Sequence, residues 1–163
     1  MDPVQSRHVA LLSPARSYQA SSGIGRRHGL TPTMATPRLF ATSDLHVAHP
    51  ANWLIVEDLR GRFEQDWLIV AGDVAESVDD LRWTLHRLRD RFAKVIWAPG
   101  NHELYTLPGD PLQLRGEARY RHLVELCRGL DVVTPEDPYP VWDDGDEQLV
   151  VAPLLEMYRV WLG

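Results

Sequence analysis

The chain has one cysteine, Cys127, and one lysine, Lys94, among its 163 residues. A single thiol excludes an internal disulfide framework and a cysteine-based zinc site. No run of apolar residues reaches the roughly 18 to 20 that a membrane helix needs, so a spanning segment is excluded and no membrane partner is expected. With no secretory signal pattern, a reducing cytoplasm is the expected compartment. Basic charge is also scarce. Seventeen Lys and Arg face 23 Asp and Glu, a formal net charge of −6. That balance argues against a chain built to neutralise nucleic-acid phosphates.

The charge is unevenly spread. Residues 1–36 carry Arg7, Arg16, Arg26 and Arg27 against Asp2, a balance of +3, which leaves −9 on the remaining 127 residues. Ser, Gly, Arg and Pro dominate from Ser13 to Thr33, without useful helical or strand periodicity. Such a segment buries too little apolar surface to offset its conformational entropy. Its composition resembles a transit peptide. A disordered tail, or a translation artefact ahead of a true start at Met34, is the preferred reading. The expected organisation is a leader over 1–36 and one domain over 37–163.

From Pro37 the pattern becomes regular. Arg38–Thr42, Trp67–Ala71 and Ala93–Ala98 are short apolar runs closed by turn residues and read as buried strands. Trp53–Leu59 reads as a helix. Ser77 and Asp80 form a capping pattern ahead of Leu81, Leu85, Leu88 and Phe92 at helical spacing. A longer helix is expected over 112–128, with Tyr120, Leu123, Val124 and Cys127 on one face and Gly129 as its stop. Two further β runs, Val132–Thr134 and Gln148–Ala152, flank an acidic Asp-Gly turn at Asp144-Gly145, a hairpin signal. Strand, helix, strand, helix, strand is the rhythm of an α/β sheet.

Three motifs fall at one structural place, just after a buried strand: Asp44-Leu45-His46, Gly72-Asp73-Val74 and Gly100-Asn101-His102-Glu103. Asp73 follows Asp44 by 29 residues and Asn101 follows Asp73 by 28, about one βαβ unit each time. Ligands of α/β sheets bind beyond the carboxyl ends of the strands. Asp44, His46, Asp73, Asn101 and His102 should therefore meet on one rim. Carboxylates, imidazoles and a carboxamide form a mixed oxygen and nitrogen set suited to manganese, iron or zinc. A carboxylate such as Asp73 can bridge two ions, and paired ions clamp the attacking and departing oxygens of an in-line displacement.

In these motifs the chain resembles the calcineurin-like metallophosphoesterase superfamily. The resemblance implies an α/β fold, the N-terminal portion of a four-layer sandwich with its motifs at strand ends. It implies two divalent metal ions and hydrolysis of a phosphate ester by a metal-bound hydroxide. Asp44 and His46 would bind the first ion, Asp73 would bridge both, and Asn101 would bind the second. His102 would be catalytic rather than a ligand, stabilising the transition state or protonating the leaving oxygen. Glu103 would support the ligands from behind. The implied substrate is a phosphate-ester small molecule, a nucleotide or a phosphoprotein.

The family pattern continues with a later histidine and a Gly-His-x-His stretch, whereas no histidine follows His122 here. On the family scheme the first ion keeps three of four protein ligands and the second keeps two. The chain is accordingly expected to be an N-terminal fragment with an incomplete second site and reduced or absent turnover. The alternative is a non-catalytic, metal-binding remnant or interaction fragment.

Other residues carry plainer readings. His49 shares the first loop but reads as solvent-facing, and His86 lies among arginines on a solvated helix face. His122 reads as a boundary residue and Cys127 as a buried thiol. Glu136–Glu147 lacks the ordered spacing of a calcium loop. Tyr105 and Arg115 are candidates for a substrate pocket, Arg115 being the better phosphate contact.

Overall fold

A computed structural model describes residues 9–11, 36–62 and 64–154. Most of the leader and the chain beyond 154 lie outside the described residues. Strands β1 (Val9–Leu11), β2 (Leu39–Thr42), β3 (Trp67–Ala71) and β4 (Lys94–Ala98) form one sheet in the order β1-β2-β3-β4. The last three run parallel, with Leu39 beside Trp67 and Trp67 beside Lys94. Helices α1 (Pro50–Asp58) and α2 (Val78–Arg89) make the two crossovers. The expected βαβαβ core is present.

Each element follows from local chemistry. The apolar run of β3 ends at Gly72, whose φ of 75° turns the chain sharply. Ser77 caps α2 by accepting the Asp80 N–H at 3.2 Å. Helix α1 begins at Pro50, three residues ahead of the expected Trp53, because proline's fixed φ suits a first helical turn.

One sheet face packs on helices. Leu68, Val70, Val95 and Trp97 point into a cluster with Val56 of α1 and with Leu81, Leu85 and Leu88 of α2. Leu123 and Cys127 join it from α4 (Gly116–Gly129). Leu39 and Ile96 point the other way, beneath Trp142 and Val151.

Four differences from expectation have physical causes. Val9–Leu11, in the segment expected to lack regular structure, pairs antiparallel with β2; three consecutive apolar residues suffice to extend an edge. Helix α4 starts at Gly116 rather than Leu112, because Gln113 adopts φ 45° and its side-chain amide binds the Leu107, Pro108 and Asp110 carbonyls. The acidic turn joins β5 (Val141–Asp143) to β6 (Gln148–Val150), whereas Val133 pairs in parallel with Ile96 of β4. A short helix, α3 (Asn101–Leu104), occupies the third motif and had no periodicity to announce it.

Candidate metal centre

The loops after β2 and β3 are zipped together before they reach the rim. The amides of Asp44, His46 and Val47 donate to the carbonyls of Gly72, Asp73 and Val74 at 3.2, 3.0 and 2.9 Å. Asp44, His46 and Asp73 all hold left-handed backbone, with φ of 55°, 41° and 54°. Asp and His tolerate that region better than most side chains, yet such strain costs about 1 to 3 kcal/mol per residue. The three lie at one rim, in the loops that follow β2 and β3. Asn52 on α1 fixes the first loop further, its amide donating to the Leu45 and His46 carbonyls at 2.8 and 3.2 Å.

Glu103 holds the second loop to the third. Fully buried, it accepts the N–H groups of Val74 at 2.7 Å, Gly100 at 2.9 Å and Asp73 at 3.1 Å. Burial pushes its carboxyl above the ordinary value, and the three amide bonds oppose that push. Glu103 thereby ties the loop that carries Asp73 to the start of the third motif.

Donor atoms of His46, Asp73 and His102 lie within 4.8 Å of one another. Asp44 sits at the margin, one carboxylate oxygen 3.9 Å from His46 Nε2. The imidazoles of His46 and His102 meet edge to face, centroids 4.7 Å apart. His102 also donates its backbone N–H to Asp73 Oδ1 at 3.2 Å. Asn101 opens α3 beside His102, with its amide nitrogen donating to the Tyr105 hydroxyl at 2.8 Å. Mixed nitrogen and oxygen donors at this spacing fit a borderline divalent cation.

The family description "Calcineurin-like phosphoesterase" matches residues 37–156. The chain belongs to the calcineurin-like phosphoesterase family. Members of this family use divalent metal ions. The chain is 52% identical over 124 residues to the "[Acyl-carrier-protein] phosphodiesterase PptH" of Mycobacterium tuberculosis (strain ATCC 25618 / H37Rv). That match covers 76% of this chain and 38% of PptH, so the chain spans well under half the length of the curated relative. The crystal structure of phosphopantetheinyl hydrolase (PptH) from Mycobacterium tuberculosis superposes with a TM-score of 0.72 at 52% identity. It covers 74% of this chain and 43% of that one. The fold is therefore the calcineurin-like phosphoesterase fold.

Two residues of this phosphoesterase rim were not singled out from the sequence. Glu76 accepts from His102 Nδ1, at 2.6 Å. This bond raises the His102 pKa above its usual value, against desolvation by burial and with help from the Asp73 charge. For Glu76 burial works upward, but the His102 hydrogen bond and the nearby imidazoles together bring the carboxyl below its ordinary value. Arg119, 2% exposed, runs under the same loops from α4. Its signal was present in the sequence: with Leu123 and Cys127 it occupies one stripe at i, i+4, i+8 spacing, an arginine on an apolar face.

Among the described residues, the remaining histidines are set apart from the cluster. His49 is the exposed residue ahead of α1, and His86 pairs with Asp90 at 3.4 Å on exposed α2 surface. His122 is half-buried on α4. Arg115 is exposed at the start of α4, and Tyr105 stands 5.4 Å from the His102 ring, centroid to centroid. Cys127 is buried, and burial pushes its thiol well above the ordinary range, so it is no nucleophile.

Proposed function

We propose that this chain carries the metal-binding rim of a phosphodiesterase whose substrate is a phosphopantetheinyl group on an acyl-carrier protein. The convergence of His46, Asp73 and His102 within 4.8 Å supports the reaction class. The likeness to PptH, 52% over 124 residues, supports the substrate.

On this reading Asp44, His46 and Asp73 would hold one divalent ion, and Asp73 with Asn101 would form an incomplete second site, with manganese, iron or zinc suited to the donors. Bound ions would supply Lewis-acid charge against the phosphoryl oxygens. His102 is the proton donor to the leaving oxygen. Its Nδ1 faces Glu76, which fixes the ring plane and leaves Nε2 for the substrate. The Glu76 contact favours the protonated ring, the state a general acid needs. Glu103 holds Asp73 and Gly100 in register, so the acid and the ligands keep a fixed separation. Water adds to phosphorus as the bond to the carrier's oxygen breaks; that oxygen takes the His102 proton, and the proton given up by water restores the imidazolium.

The direct test is incubation of the chain with holo-acyl-carrier protein and Mn²⁺, followed by intact-mass measurement of the carrier. The expected result is loss of the phosphopantetheinyl mass by wild type, at the reduced rate an incomplete second site allows, and none by Asp73→Asn. An unchanged carrier beside hydrolysed bis-p-nitrophenyl phosphate would overturn the substrate and leave the reaction class standing.

A further inference from the structure

We infer that Arg119 is a positioning residue for the Glu76–His102 pair, an inference that rests on the proposed role of His102. The pair is built from two loops 26 residues apart in sequence, and its 2.6 Å contact requires their backbones to keep one relative position. Glu103 ties the bases of those loops through Asp73, Val74 and Gly100. Arg119 ties the ends that carry the pair itself. Its Nη2 donates to the Glu76 carbonyl at 2.7 Å, and its Nε donates to the Glu103 carbonyl, one residue past His102, at 2.6 Å.

The remaining guanidinium nitrogen, Nη1, donates to the Asp110 carboxylate at 2.7 Å, a pair 2% and 7% exposed. Asp110 in turn accepts the Leu112 N–H at 2.9 Å, inside the loop between α3 and α4. One planar cation thus joins three segments: the loop after β3, helix α3 and the loop that follows it. Arginine is required because three acceptors lie around a rigid fork. A lysine ammonium is a point charge on a flexible stem and lacks that geometry. The guanidinium hydrogen bonds of Arg119 go to the two backbones and to Asp110, and it acts on the pair through those backbones.

A merely structural arginine would leave the His102 ring as it is in any variant that folds. The test therefore reads the ring. In the metal-free chain, a long-range proton–nitrogen correlation, recorded at a pH where the imidazole is neutral, reports which nitrogen bears the proton. Glu76 should pin the proton on Nδ1 in wild type, because the tautomer is set by the hydrogen bond the ring makes. In Arg119→Lys, with the rest of the amide spectrum unchanged, the signal should move to the unpinned mixture that Glu76→Gln gives. Asp110→Asn keeps the arginine and should give an intermediate shift, which serves if Arg119→Lys fails to fold. A fully pinned Nδ1–H in a folded Arg119→Lys, or in Asp110→Asn where that variant fails, overturns the inference. An unpinned ring in wild type overturns it as well, by removing the pair. Absence of phosphodiester turnover with a pinned wild-type ring would count against the proposed function alone.

Discussion

Asp73 fills the space that a side chain on Gly100 would need. A Cβ on Gly100 would lie 2.2 Å from Asp73 Oδ1 and 2.6 Å from the Asp73 backbone nitrogen. The second-motif carboxylate therefore sits where the third motif has no side chain, and the glycine ahead of Asn101 is a steric requirement of the rim. Gly72 is bound to the same junction, since a Cβ there would meet Gly100 N at 2.5 Å.

Gly100→Ala should displace the Asp73 carboxylate and spread the cluster. Overpacking at a tight site costs typically about 1 to 3 kcal/mol. Supporting residues around a metal are worth about 10- to 100-fold in affinity. A drop of at least about tenfold in Mn²⁺ affinity, on the same scale, is expected by calorimetry. Wild-type affinity in this variant would contradict the packing argument.

Glu103→Ala should be the most destabilising single change at the site. It strands the N–H groups of Val74, Gly100 and Asp73, at about 1 to 3 kcal/mol for each donor left unpaired in a buried position. Urea denaturation should lose on the order of 3 kcal/mol or more. A loss under about 1 kcal/mol would mean that water satisfies those amides. Because burial raises the Glu103 pKa, its share of stability is full below the ordinary value of 4.5 and declines as pH rises through the raised one. Three amide donors are what makes the ionised form tolerable above it.

The Glu76–His102 pair should leave a window in the pH dependence of the metal-free chain. His102 has a raised pKa, so its contribution is complete below the ordinary 6.5 and fades as pH rises through the raised value. Glu76 has a lowered pKa, so its contribution is complete above 4.5 and fades as pH falls through the lowered value. The difference in melting temperature between wild type and Glu76→Gln should therefore peak between these limits and shrink on both sides. A difference that is flat across pH would exclude an ion pair.

Much of this was legible in the sequence, for reasons visible at particular residues. Trp67–Ala71 is an unbroken apolar run that ends at a glycine, so its strand bounds were readable to the residue. Ser77 capped α2 as its spacing to Asp80 implied. The rim residues Asp44, His46, Asp73, Asn101 and His102 were readable because each follows a strand. Helix α3 was not, since four residues carry no period. Val141–Asp143 and Val132–Thr134 are both β-prone, and only tertiary pairing decides which forms the hairpin. Glu76 gained its meaning from a histidine 26 residues away, which no local pattern encodes.

Asp73→Asn offers the most direct test of the rim as a metal centre. Mn²⁺ titrated into wild type and Asp73→Asn, with both shown to be folded, isolates the carboxylate, because the amide keeps the shape and removes the charge. The expected result is clear binding by wild type and at least about tenfold weaker binding by the variant, since even the outer neighbours of a metal are worth about that much. Equal affinity in the two proteins, or no binding by a folded wild-type chain, would contradict the placement of a divalent cation on Asp73 and its neighbour His46.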